Sequence, residues 1–467
     1  MMENKQLINL WTEKYTVVSE QLKKVKSISS LATGFNTNID AVIKITGDEL
    51  KHLIEEYQIP LTKLNNIELT SFDVPSDAIL GIVKCFSRGI AEEWTTADID
   101  VYHWLEQNIG YDRLQMGGQG GIIANIMALL GIKQVIAHTN SHPSLQAQQF
   151  LDLDNLLAFD DDGNLKKATS ISRADKPMIH WIIEFDKGDQ FTIEGKKFTC
   201  PKSNRFIATY DPLNMNLVIN PHFKNYINQH APEYLILSGF HPLLSENNGL
   251  ELIEKAVFMI KGWKKVNPQL ITHIEVASTQ DKKIRSAIVE QILPLADSIG
   301  LNEREAIDLL NVTNQQALAT EIEQELNACH LFQAILFLKK HLKVARIQLH
   351  MFGLYMTLQD KTYPYRAQDN LKGMMTASVV ASSKASIGSL TQYADITCTL
   401  GHPVSEQGIR ELSALSQMLN KPELLTEGVC DIDDLTLSAI PTILVDKPKT
   451  LVGMGDTISS ISLVAGR

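Results

Sequence analysis

The stretch TILVDKPKTLVGMGDTISS passes from an apolar run through a turn into Gly453, Met454, Gly455 and Asp456, and then into a helix-like segment. Two glycines at a helix start let backbone N–H groups approach an anion closely, and the helix dipole favours negative charge there. An aspartate in that first turn is placed to accept a proton from a hydroxyl held beside the anion hole. The same residues also suit a plain turn closed by an aspartate cap. A lone GxGD does not choose between the two readings, so the rest of the chain must.

Three further groups bear on that choice. In LATGFNTNIDAVI, the residues Asn36, Asn38 and Asp40 recur at spacing two, which on an extended backbone puts their side chains on one face. Such a row of amide and carboxyl groups suits a polyhydroxylated ligand such as a sugar, although Asn and Asp also populate turns. In LQMGGQGGIIANIMALLG, Gly117, Gly118, Gln119, Gly120 and Gly121 open an apolar helix and allow close approach of the backbone to a ligand. Finally, HIEVAS ends a strand with Glu275 two residues after His273, and ADSIGLNEREAIDLL starts a helix with Asn302 and Glu305. Carboxylates at the carboxyl ends of parallel strands lie where open α/β sheets bind ligands, and they can hold Mg2+ partly through water. Glu303 and Glu305 are equally ordinary acids for a first helical turn.

These residues need a scaffold that brings strand ends together. Short apolar runs at 28–35, 134–139, 234–238, 271–276, 344–349 and 442–445 read as buried strands. Amphipathic segments such as 250–265 lie between them, an alternation that predicts a parallel sheet covered by helices, an α/β fold. The runs HWIIEF and FTIEG flank DKGDQ and predict a hairpin, which with the polar stretch 48–112 would build a second, smaller domain.

Composition bounds the function classes. The 467 residues carry 43 Lys and Arg against 54 Asp and Glu, a formal net charge of -11. That balance offers little attraction to a nucleic-acid backbone or an anionic bilayer, so neither is expected as a partner. Five scattered cysteines without a CxxC pair argue against a zinc cluster or a disulfide framework. No signal-peptide-like start and no long apolar run occur, and a cytoplasmic protein is expected. The P-loop, zincin and nucleophile-elbow patterns are missing from the sequence.

Taken in order, NTNID, GGQGGIIAN, HIE, NERE and GMGD resemble the ADP-dependent sugar kinases of the ribokinase-like superfamily, the ADP-dependent phosphofructokinases and glucokinases. GMGD alone would indicate only a ribokinase-like kinase; the HIE and NERE elements are particular to the ADP-dependent branch. The resemblance implies a large α/β domain, with a central mostly parallel sheet flanked by helices, over residues 1–40, 109–165 and 211–467. It implies a smaller β-rich lid over 41–108 and 166–210.

The resemblance also assigns roles. Asp456 would be the general base, with Gly453, Met454 and Gly455 amides and Arg205 stabilising the transferring phosphoryl group. Glu275 and Glu305 would organise Mg2+, while Asn302, His350, Val445, Val452 and Gly455 would hold ADP. The sugar would meet Asn36, Asn38, Asp40, Gly117, Gly118 and Gln119, with Glu92 of the lid on glucose hydroxyls and Lys176 or Arg205 on a sugar phosphate. A glycine stands at position 120, where the family pattern has alanine. The implied reaction is transfer of the β-phosphoryl group of MgADP to fructose 6-phosphate, and to glucose if Glu92 is so placed, releasing AMP, by a monomer or small homo-oligomer. An ATP-dependent kinase on the same scaffold, or a catalytically silent sugar or nucleotide sensor, are the alternatives.

Overall fold

In the computed structural model, which describes residues 3–96 and 98–467, the strands follow in chain order. They are β1 (Leu31–Gly34), β2 (Asn38–Lys44), β3 (Glu92–Thr95), β4 (Arg113–Gly117), β5 (Val135–Ala137), β6 (Leu156–Phe159), β7 (Leu165–Lys167), β8 (Ile179–Phe185), β9 (Gln190–Ile193), β10 (Lys196–Thr199), β11 (Asn204–Tyr210), β12 (Tyr234–Leu237), β13 (Ile271–Glu275), β14 (Ser298–Asn302), β15 (Arg346–Met351), β16 (Leu354–Asp360), β17 (Val429–Ile432) and β18 (Leu435–Pro441).

The fold is α/β. The larger sheet has eleven strands in the order β17-β18-β16-β15-β14-β13-β12-β1-β5-β6-β7. From β15 to β6 every neighbouring pair is parallel, and antiparallel strands extend both edges. Five of the six expected runs contain a strand of this sheet. The run at 442–445 does not, because the ladder ends at Pro441 and the Ile443 amide donates instead to Ser378 Oγ at 3.0 Å. The expected helix at 250–265 is present as Gly249–Val266.

A five-stranded sheet, β3-β11-β8-β2-β4, forms a separate layer with its own apolar cluster around Trp94, Trp181, Phe185 and Phe206. The expected division at 40/41 cuts through β2, and the division at 108/109 leaves β4 on the wrong side of the boundary; both strands belong to this smaller sheet. An apolar run such as NIDAVI carries no mark of which sheet will take it.

The expected hairpin across DKGDQ is replaced by other pairings. β8 lies between β2 and β11, while β9 pairs with β10 across Glu194 and Gly195, both at positive φ as a tight hairpin turn requires.

The chain crosses between the two sheets at 35–37, at Gly118, at 168–178 and at Asp211. No helix among the described residues is long and apolar enough to cross a membrane. The five cysteines are free thiols.

Candidate active site

Three neighbouring parallel strands deliver the acidic groups. Glu275 ends β13, Asn302 ends β14 and His350 stands one residue from the end of β15. Asn302 caps the helix Glu303–Val312: its side chain accepts from the Glu305 amide at 2.9 Å, and Glu305 Oε2 accepts from the Asn302 amide at 2.8 Å. This capping box spends one carboxylate oxygen of Glu305 and fixes the side chain at the strand end.

Opposite these ends starts the helix Met454–Ala465, with Gly453 as its cap at φ 62, a left-handed conformation that favours glycine. A Cβ on Gly455 would lie 2.9 Å from His350 Nε2, so that residue too must be bare. Asp456 sits buried in the first turn.

Burial raises the carboxyl of Asp456 above the ordinary range, against which the Gln119 side chain and the Lys384 charge pull it back. Glu275 is pushed well above its usual range by burial, then by the charges of Asp456 and Glu305. Burial likewise takes Glu305 to about 8; the Asn302 amide lowers it, and Asp456, Glu303 and Asp308 add to the rise. Three carboxylates thus share one poorly solvated place, although the described residues hold no cluster of three converged on a single metal position. His273 supports Glu275, its Nε2 lying 3.2 Å from Glu275 Oε2 and 2.9 Å from Ser459 Oγ.

Beside this centre, His350 and Val445 line a cavity of about 260 Å³ with Glu303, Tyr355, Leu451 and Met454. Val452 is not part of it. It faces a second cavity of about 230 Å³, with Gln115, Met116 and Lys384.

The second group of residues gathers where the chain passes between sheets. Asn36 is buried before β2, and its side-chain oxygen accepts from Asn214 Nδ2 at 3.3 Å. Asn38 donates to Asp40 Oδ1 at 3.1 Å and keeps its own carbonyl oxygen buried without a partner. The two glycines before the helix Gln119–Leu129 leave room for these groups: a Cβ on Gly117 would lie 2.1 Å from Asp40 Oδ1, and one on Gly118 2.5 Å from Asn38 Oδ1. Gly118 is also at φ 72. Burial raises Asp40 to about 6, moderated by the charge of His180 and the Asn38 side chain.

The pleat of the small sheet sorts the other residues. On β8, Trp181, Ile183 and Phe185 face the apolar cluster, so His180 faces the opposite side with Asp40. There His180 lies 3.0 Å from Asp211 and 3.7 Å from Glu93, and Thr209 donates to Glu93 at 2.7 Å. Glu92, the expected sugar ligand, has the other orientation. It accepts from Lys84 Nζ and from Trp94 Nε1, each at 2.8 Å. One residue along a strand reverses the face, and the AEE sequence does not say which glutamate turns inward.

Arg205 is half-buried on β11, on the face away from Phe206 and Ala208. Lys176 is exposed, and only its carbonyl is held, by Ser141 Oγ at 2.6 Å.

Sequence reasoning missed Glu93, His180, Asp211, His241 and Lys384. For His180 the signal was present as the polar interruption of an alternating strand. For Lys384 it was a lone charge among small residues in TASVVASSKASIG. His241 follows β12 in GFHP, and burial lowers its imidazole below the ordinary range, with the Glu93 and Asp211 charges raising it and His180 lowering it further.

Comparison with known proteins identifies the family. The model of the ADP-specific phosphofructokinase/glucokinase conserved region matches residues 29–465. An ADP-dependent glucose/glucosamine kinase of Pyrococcus abyssi is 30% identical, covering 97% of this chain and 98% of that protein. An ADP-specific phosphofructokinase of Methanosarcina acetivorans is 26% identical, covering 98% of this chain and 97% of its own. The solved structure of an ADP-dependent kinase in complex with fructose-6-phosphate and ADPβS superposes with a TM-score of 0.83 at 30% identity, over 98% of this chain and 97% of that one. The last common ancestor of ADP-dependent phosphofructokinases from Methanosarcinales superposes equally well, with a TM-score of 0.83 at 30% identity over 100% and 99% of the two chains. A chain so matched from end to end, with carboxylates, glycine turn and polar cleft in place, belongs to the ADP-specific phosphofructokinase/glucokinase family.

Proposed function

We propose that the protein transfers the β-phosphoryl group of MgADP to a hydroxyl of fructose 6-phosphate, and also of glucose, releasing AMP. The observation that carries this reading is the position of Asp456. It lies at the start of a helix entered through the left-handed Gly453, where its charge raises Glu275 and Glu305 while Gln119 and Lys384 bear on its own carboxyl. The relatives named for both sugars support the pair of acceptors.

In this reading Asn36, Asn38 and Asp40 orient the sugar hydroxyls, and Asp456 accepts the proton of the attacking one. The amides after Gly453 face the charge that develops on the phosphoryl oxygens, where the helix dipole adds to them. Positioning and charge stabilisation account for most of catalysis in phosphoryl transfer. The cavity of His350 and Val445 takes the nucleotide, and Arg205 reaches its phosphates from the small sheet. Lys176 and Arg205 are the cations on offer to a sugar phosphate, while Glu93, on the same face as His180 and Asp40, takes the role that the sequence suggested for Glu92.

Glu275 and Glu305 fit Mg2+ by the chemistry of the donor set. They are hard oxygen donors, and burial first, then neighbouring negative charges, raises both, a tension a divalent cation relieves. When bound, Mg2+ neutralises charge on the phosphate oxygens.

The test is an assay of purified protein with fructose 6-phosphate or glucose, each with ADP or ATP, following the phosphorylated sugar together with AMP from ADP or ADP from ATP. AMP formed only with ADP is the expected result. Turnover with ATP alone would make the protein an ATP-dependent kinase, and tight binding without product would make it a sensor.

A further inference from the structure

Lys384 stands where helix electrostatics disfavour a cation. It projects from the helix Ala367–Ile387 onto the first turn of Met454–Ala465, the positive end of that helix. Its Nζ donates to the Gly453 carbonyl at 3.3 Å and to Thr457 Oγ1 at 3.5 Å, both neutral oxygens. Thr457 Oγ1 donates to the same carbonyl at 2.7 Å, and a Cβ on Gly453 would come within 3.1 Å of the ammonium. About three turns away along the same helix the two helices pack closely, since a Cβ on Gly373 would lie 2.4 Å from the Ser462 carbonyl.

Two carboxylates lie in range of its field, Asp456 and Asp40. The groups bearing on Asp456 are Gln119, Lys384, Glu275 and Glu305, with His350 beside Gly455. Among these only Lys384 brings a formal positive charge.

Resting on the kinase reading above, we propose that Lys384 is a positioning residue for phosphoryl transfer. Its charge offsets the negative field of Glu275, Glu305 and Asp456, and its hold on the Gly453 carbonyl sets the turn whose amides face the moving group. Neither function needs contact with the sugar or the nucleotide base, so turnover depends on Lys384 while substrate affinity does not.

Three variants separate charge from hydrogen bonding: Lys384→Arg keeps the charge, Lys384→Gln keeps a donor without charge, and Lys384→Met keeps neither. Each is measured for kcat and both KM values by AMP formation, and for thermal unfolding by circular dichroism. The expected result is a fall in kcat of about 30-fold or more for Gln and Met, with KM values within about threefold, and recovery by Arg to within about fivefold. Gln as active as the wild type, or Arg as impaired as Gln, overturns the role of the charge. If the Met variant does not fold, the Arg and Gln pair still decides. Wild-type protein that forms no AMP with either sugar overturns the kinase reading and this role with it, a result distinct from active wild type with active Lys384→Gln.

Discussion

His180 and Asp211 meet at 3.0 Å, one in the middle face of the small sheet and the other at the residue where the chain leaves it. Burial alone would lower the imidazolium. The hydrogen bond and charge of Asp211, with Glu93 and Asp40 behind them, outweigh burial and push His180 up to about 9 from its ordinary 6.5. A group raised on folding contributes its full stability below its unfolded pKa and loses it as pH rises through the folded one. The Tm difference between wild type and His180→Gln should therefore be largest near pH 6, a few degrees in size, and shrink toward pH 10. A difference that grows with pH would contradict the charged pair.

Glu92 and Glu93 should separate cleanly. Removing the carboxylate of Glu92 strands Lys84 and Trp94, so Glu92→Leu is expected to cost about 1–3 kcal/mol of stability with sugar KM changed less than about twofold. Glu93→Gln should instead raise the KM for glucose by about tenfold or more, the loss of a charged hydrogen bond to substrate, and lower Tm only by the part of the His180 stabilisation that the Glu93 charge supplies. Denaturant melts and steady-state kinetics on the two variants check both.

That pair also shows how much the sequence could say. The parallel sheet, the glycine turn before Asp456 and the Asn302 cap were legible, because each has a local signature in pattern, φ requirement or capping chemistry. The sheet to which β2 and β4 belong, and the glutamate that faces the cleft, depend on pairing partners 71 to 140 residues away. Lys384 was illegible for the same reason. Its meaning comes from a helix seventy residues further on, whose first turn it touches.

Metal should act most strongly in alkaline solution. Glu305 ionises near 8 in the fold against an ordinary 4.5, so the metal-free protein loses stability as pH rises between those values. Mg2+ competes with protons for the same oxygens. Millimolar MgCl2 should raise Tm more at pH 8 than at pH 6, and Glu305→Gln should flatten that dependence. Differential scanning fluorimetry at the two pH values is sufficient, and an equal shift at both would count against Glu305 as a ligand.

Asp456→Asn should keep sugar and nucleotide binding within a few-fold by calorimetry and lose at least about a hundredfold in turnover, the modest end of general-base effects. Normal turnover in that variant would remove Asp456 from the mechanism.

Three of the four passages between the sheets run through Asn36, Gly118 and Asp211, and Asn36 binds all three together. Its carbonyl accepts from Gly120 at 2.8 Å just beyond Gly118, and its side chain accepts from Asn214, which in turn holds Asp211. The joint between the two sheets and the residues proposed to hold the sugar are thus the same few. On the proposed function, a sugar bound there would hold the joint itself and so would select the angle between the sheets that suits it. By reciprocity, a mutation that stiffens the joint far from any hydroxyl will appear in titrations as a change in sugar affinity.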